Sequence, residues 1–261
     1  MTKVGIIGGG NMGAAILAGI CQKYAVMVCE QDQKRAGFLK RRFAVKVADL
    51  ATAVRQSRIV ILAVKPQNVE EVLAAIQPYA REDQVIVSIA AGITCRYIEK
   101  RLGPGIRVVR TMPNLPAQVG QGMTAICAGK AARRTDLTLV RRIFDCVGRT
   151  VVVEEKWMDA VTAVSGSGPA YVFLFAECME KAARSLGLKK ETAAQLTAQT
   201  LKGSVALLEQ SKESAEVLRA RVTSKGGTTQ AALAVFEKYQ IEGTFQKALT
   251  AARQRAKELS K

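Results

Sequence analysis

Val4-Gly5-Ile6-Ile7-Gly8-Gly9-Gly10-Asn11-Met12-Gly13 is the stretch that decides how this chain folds. A short apolar run, the length of a strand, ends in glycines, and a helical stretch over 11–22 follows. Gly8, Gly10 and Gly13 fall in the spacing GxGxxG. That spacing alone is a weak signal, because a glycine-rich turn needs no ligand. Placed after an N-terminal apolar strand and at the opening of a helix, it is the fingerprint of a dinucleotide-binding turn. Gly8 permits the tight turn, Gly10 lets the backbone approach a pyrophosphate, and Gly13 lets helix and strand pack closely. The start of the helix, with Asn11 and Met12 in its first turn, adds free N–H groups and a positive dipole end.

Outward from this stretch, strand-like and helix-like segments alternate. A second strand is expected over 25–29 and a second helix over 32–42. Further buried strands are expected over 58–64, 84–89 and 106–110, ending respectively at Lys65-Pro66, at Ala90-Ala91-Gly92 and at Met112-Pro113-Asn114. Strands separated by helices imply βαβ units and a parallel sheet covered on both faces. Past about residue 155 the strand signals stop, and segments rich in Ala, Leu, Glu, Lys and Gln follow over 169–186, 190–210, 228–239 and 243–259. These are strong helix formers. The predicted fold class is α/β: an N-terminal Rossmann-type doubly wound sheet over 1–158, then an all-helical substrate and dimerisation domain over 159–261. The helix over 169–186 carries Ala170, Val172, Phe173, Leu174, Phe175, Ala176 and Met179 nearly all round its axis. Such a helix must be covered on every side, and a partner subunit is the expected cover for so small a domain.

Composition excludes several classes of chemistry. The chain has 261 residues and no histidine. No Ser-His-Asp triad, Cys-His pair, histidine-ligated metal or histidine base can exist within it, and no metal site is expected. The six cysteines include no CxxC pair. With no charged-then-apolar leader and no apolar run near the roughly 20 residues that span a bilayer, a soluble, reducing, cytoplasmic protein is expected, without membrane contact. The 39 Lys and Arg against 22 Asp and Glu give a net charge of +17, spread over both halves. That excess suits anionic partners in general. Aromatic residues are only 5% and do not interleave with the basic clusters, so nucleic acid is not the expected partner.

Three further groups of residues bear on ligands. Glu30 ends the second strand, 22 residues after Gly8, where an acid binds a ribose 2′-hydroxyl and favours NAD; Lys34 and Arg35 follow, where they would meet the 2′-phosphate of NADP. The sequence leaves that choice open. Ala63-Val64-Lys65-Pro66 and Ala90-Ala91-Gly92 sit at strand C-termini, where open α/β sheets bind ligands, although each also reads as an ordinary strand-to-helix turn. In the helical half, Ser224-Lys225-Gly226-Gly227-Thr228-Thr229 offers hydroxyls, two glycines and a free helix N-terminus, an arrangement suited to a small carboxylate.

Taken together, Gly8-Gly9-Gly10-Asn11-Met12, Ala63-Val64-Lys65-Pro66-Gln67, Arg110-Thr111-Met112-Pro113-Asn114, Ser165-Gly166-Ser167-Gly168-Pro169-Ala170-Tyr171 and Val222-Thr223-Ser224-Lys225-Gly226-Gly227-Thr228-Thr229 resemble the pyrroline-5-carboxylate reductase family nearly end to end. The last two motifs are not general to dinucleotide-binding proteins. Two positions depart from the family: Lys225 stands where many members have proline, and Asp49-Leu50 where an asparagine often touches the adenosine end of the cofactor. The resemblance implies hydride transfer from NADPH, with NADH possible, to the C=N carbon of 1-pyrroline-5-carboxylate, giving L-proline in the last step of proline biosynthesis. It implies that Thr229 offers a hydrogen bond at the imine nitrogen and that Ser224, Gly226, Gly227 and Thr228 hold the carboxylate. The residues expected on the cofactor from their own positions are Gly8, Gly10, Asn11, Met12, Gly13, Ala63 to Pro66, Ala90 to Gly92, Pro113 and Asn114, together with Glu30, Lys34 and Arg35. The resemblance further implies a homodimer or higher homo-oligomer. Two other readings remain: a β-hydroxyacid-dehydrogenase-like oxidoreductase, which needs a lysine on the helix from Pro169 and finds none before Lys181, and a non-enzymatic NADP-sensing regulator.

Overall fold

A computed structural model describes residues 1–260. They divide into two compact units, one of residues 1–167 with the chain's C-terminal end from 251, the other of residues 168–250.

The first unit is built on eight strands: β1 (Lys3–Ile7), β2 (Ala25–Cys29), β3 (Lys46–Val47), β4 (Ile59–Leu62), β5 (Val85–Ser88), β6 (Arg107–Met112), β7 (Gly122–Ala128) and β8 (Gly148–Val152). They form one sheet in the order β3-β2-β1-β4-β5-β6-β7-β8. Every pairing is parallel except β6 with β7, which run antiparallel with Arg110 opposite Cys127. The helices are α1 (Asn11–Ile20), α2 (Gln33–Phe43), α3 (Leu50–Arg55), α4 (Val69–Ile76), α5 (Cys95–Leu102), α6 (Arg134–Phe144) and the short α7 (Met158–Val161).

The period of two in the central strands accounts for the double winding. Val4, Ile6, Ile59 and Ile61 point to one face, where they meet Leu17 and Ile20 of α1, Leu39 of α2 and Phe144 of α6. Ile7, Val60 and Leu62 point to the other, where they meet Val54 of α3, Leu73 of α4 and Ile98 of α5. β4 and β5 are buried along their whole length, as near-continuous runs of Ile, Val and Leu require.

The second unit holds α8 (Gly168–Ser185), α9 (Lys190–Ser211), α10 (Ala215–Arg221) and α11 (Thr228–Lys238). The last helix, α12 (Ile241–Leu259), begins in this unit and ends in the first. Within the first unit its end is anchored: the Leu259 carbonyl lies against Gly92, and Ser260 Oγ donates to Asp159 Oδ1 at 3.1 Å. No residue of α8 is buried within the chain. Val172, Phe173, Leu174 and Phe175 stand 41–59% exposed.

Candidate active site

The strand order reverses between β1 and β4, and ligands of such sheets bind beyond the strand carboxyl ends at that switch. The backbone there is tightly constrained. Gly8 has φ +101°, and a Cβ on it would come 2.6 Å from the Ala63 carbonyl oxygen. Gly13 lies against the Gly8 carbonyl, where a Cβ would approach to 2.3 Å. Gly10, by contrast, faces open space. It caps α1 in an extended conformation, no side chain closes the helix start, and the first turn carries no acid. The N–H groups of that turn are therefore free to receive an anion.

A cleft of about 780 Å³ opens beside this helix start. Gly8, Gly10, Asn11, Met12, Glu30, Ala63, Val64, Lys65, Pro66, Ala90, Ala91 and Pro113 all line it. Five other residues that the sequence grouped with them do not. Gly13 packs under the turn. Gly92, with φ +74°, faces the Leu259 carbonyl. Asn114 ties three segments together: its Oδ1 accepts from Met123 N–H at 2.8 Å and its Nδ2 donates to the Ser165 carbonyl at 3.1 Å. Lys34 is exposed on α2. Arg35 turns back onto the glycine loop, where its Nε donates to the Gly9 carbonyl at 2.7 Å.

Glu30 has a role that its position alone does not reveal. Its Oε2 accepts from Gly9 N–H at 2.6 Å and its Oε1 from Asp32 N–H at 3.0 Å. Arg35 and Glu30 thus grip the two sides of the Gly9 residue. Residues outside the sequence motifs also line the cleft, among them Gln31, Asn68 and Gln118, and so does Leu50, of the Asp49-Leu50 pair that the resemblance places near the adenosine end of the cofactor. None belongs to a motif; each follows a strand end or helix start that only the topology brings to the switch point.

In the second unit, Ser224 to Thr229 form the turn that opens α11. Gly227 is the cap residue, in extended conformation, with no side chain closing the helix and no acid in its first turn. Gly226 has φ +73°, and its N–H donates to Gln230 Oε1 at 2.6 Å. Gly227 sits so close to Ser224 that a Cβ there would meet Ser224 Oγ at 2.3 Å. Thr228 is exposed and Thr229 half-buried on the first turn. The Gly227 N–H is engaged as well, donating to the Ser224 carbonyl at 3.0 Å, so it is the first-turn N–H groups of α11 itself that this helix start offers to an anion.

Among the described residues, the group whose side-chain types suit a metal is Cys95, Cys127 and Glu155, with ligand atoms within 4.8 Å of one another. Glu155 Oε1 already accepts from Cys95 N–H at 2.7 Å and from Arg110 Nη1 at 3.4 Å. The hydrogen bond with Cys127, and burial after it, push the Cys95 thiol above its ordinary pKa. The Cys95 thiol is thereby held in its protonated form within a hydrogen-bonded cluster.

Comparison with known proteins places this geometry. Residues 155–259 match the family model for pyrroline-5-carboxylate reductase dimerisation, and residues 3–92 match the one described as NADP oxidoreductase coenzyme F420-dependent. A pyrroline-5-carboxylate reductase of Mycobacterium tuberculosis is 40% identical, over 100% of this chain and 96% of its own. The chain belongs to the pyrroline-5-carboxylate reductase family. The solved reductase of Coxiella burnetii superposes with a TM-score of 0.94 at 37% identity, covering 100% of this chain and 99% of that one. The Plasmodium falciparum reductase, solved with NADP bound, gives 0.90 at 31% identity over 100% and 98%. Membership in the pyrroline-5-carboxylate reductase family also bears on the dehydrogenase reading. Lys181, the first lysine on α8, is an exposed side chain bound to Glu177 one turn earlier.

Proposed function

We propose that this chain reduces 1-pyrroline-5-carboxylate to L-proline with NAD(P)H. Family membership over the full length carries the reading, and the uncapped start of α1 at Gly10, opening on the cleft, supports it. The residues there fit a dinucleotide: a pyrophosphate needs backbone N–H groups, the absence of a Cβ at Gly10 and no acid in the first turn, and all three are met. When bound, the dinucleotide supplies the hydride.

The residues of the chain then bind and orient. Asn11 and Met12 offer their N–H groups to the phosphates. Ala63 to Pro66, with Ala90, Ala91 and Pro113, form the walls of the cleft. Ser224 and the N–H of Thr228 hold the substrate carboxylate at the start of α11, and the N–H groups of Gly226 and Gly227 join them on leaving Gln230 Oε1 and the Ser224 carbonyl. Thr229 would donate its hydroxyl hydrogen bond to the imine nitrogen, which would take its proton from solvent water, the adjacent carbon receiving the hydride that a bound dinucleotide would supply. A cyclic imine is readily protonated, so no histidine is required, and most of the acceleration comes from positioning.

The uncovered apolar face of α8, in the segment whose family is named for dimerisation, supports a homodimer or larger homo-oligomer. No described helix is long and apolar enough to cross a membrane, and the cytoplasm is the proposed compartment. Loss of nicotinamide absorbance on adding pyrroline-5-carboxylate tests the reaction. No loss with either NADH or NADPH would contradict it.

A further inference from the structure

The corner of the cleft below β2 distinguishes the two forms of the dinucleotide, which differ only by a phosphate on the adenosine ribose. Glu30 lines the cleft at the end of β2, the position from which an acid reaches ribose hydroxyls. An ionised carboxylate has about four lone-pair sites. Gly9 and Asp32 occupy two of them and fix the side chain in place, leaving two for hydroxyl donors.

Lys65 lines the cleft from beyond the end of β4, but the two cations that follow β2 are directed elsewhere. Arg35 Nε is bonded to the Gly9 carbonyl, and its guanidinium lies 5.4 Å from the Phe38 ring centroid. Neither Arg35 nor Lys34 lines the cleft. Two more carboxylates stand behind the corner without lining the cleft: Asp32, next to Glu30, caps α2 by accepting from Arg35 N–H, and Asp49 caps α3 by accepting from Thr52 N–H. The Cys29 thiol, which lines the same corner, registers this field: burial first, then Asp49 and Glu30, hold it above its ordinary pKa. The net charge of +17 attracts both dinucleotides and does not separate them.

We propose that Glu30 makes NADH the better of the two dinucleotides for this chain, by accepting the ribose hydroxyls and repelling a 2′-phosphate. The inference rests on the reductase reading, but its test does not need the substrate. Titrating the purified full-length chain with NADH and NADPH, followed by nicotinamide fluorescence, gives both affinities without any imine present. NADH is expected to bind about tenfold tighter or more, the difference that one unfavourable charge contact at a partly screened site produces. Glu30→Gln keeps the shape and removes the charge, and is expected to narrow that ratio about tenfold. Wild-type protein that binds NADPH as tightly as NADH, or a folded Glu30→Gln variant with an unchanged ratio, would overturn the proposal. If the variant does not fold, the wild-type ratio decides. Absent turnover of pyrroline-5-carboxylate alongside an intact NADH preference would count against the reductase reading alone.

Discussion

Gly9 shows how much of the site one residue can organise. Its N–H is held by Glu30 and its carbonyl by Arg35, while a Cβ on it would strike Leu39 Cδ1 at 2.4 Å. None of this was legible in the sequence, where Gly9 is only the unassigned letter between two motif glycines. Gly13 was legible, because the fingerprint states its packing role. Gly13→Ala would press a Cβ onto the Gly8 carbonyl, and backbone there cannot give way as a flexible side chain can. Overpacking of that kind costs about 1–3 kcal/mol. The expected outcome is a lower melting temperature together with weaker dinucleotide binding; an unperturbed loop in both measurements would contradict the packing argument. Thr229→Ala is expected to lower turnover while leaving dinucleotide affinity nearly unchanged, and unchanged turnover would remove Thr229 from the mechanism. Asp49 carries a pH signature. The N–H of Thr52, and then its hydroxyl, hold the Asp49 carboxyl below its ordinary pKa. A depressed folded-state value stabilises the fold above the unfolded carboxyl range, and that contribution is lost as pH falls through the lowered value. Asp49→Asn keeps a capping side chain without the titration. Its melting temperature should therefore fall less steeply than the wild type's between neutral pH and about pH 3.

At the scale of elements, legibility followed burial. β1, β2, β4, β5 and β6 were readable as apolar runs because the middle of a parallel sheet is dry on both faces. β3, β7 and β8 were not. β3 has two residues at a sheet edge, and β8 forms the opposite edge with most of its length exposed or half-buried. β7 mixes Gly, Met, Thr, Ala and Cys and turns antiparallel after a 3₁₀ segment (Leu115–Val119), so neither its composition nor an expected crossover helix announced it. α10 was missed for a related reason: seven residues with no buried side chain give little periodic signal. Among the caps, Thr94 accepts from Tyr97 N–H at 3.1 Å at the start of α5. Thr94→Ala is expected to cost about 1 kcal/mol in denaturant unfolding. α8 is the element whose sequence and structure agree on an unmet need. It is apolar nearly all round and uncovered by its own chain, and the proposed self-association supplies its cover. Placing a charge there, as in Leu174→Asp, should shift the mass measured by light scattering toward the monomer. An unchanged mass would take α8 out of the interface.

For the whole molecule, the absence of histidine and the excess of positive charge take on definite meaning. A reaction in which a bound dinucleotide would supply hydride and water the proton needs positioning groups, and the candidates are backbone N–H groups and hydroxyls. These lie at two uncapped helix starts, Gly10 in one unit and Gly227 in the other. The first was legible because its glycine spacing is a fingerprint. The second reads locally as an ordinary capped loop, and the family resemblance gave it a role. The most direct test of the central claim is the fate of the transferred hydride. Incubation with pyrroline-5-carboxylate and a dinucleotide carrying two deuteriums at the reactive nicotinamide carbon should consume nicotinamide absorbance and yield L-proline carrying one deuterium at the former imine carbon. Proline without deuterium, or no proline with either deuterated NADH or deuterated NADPH, would contradict the account.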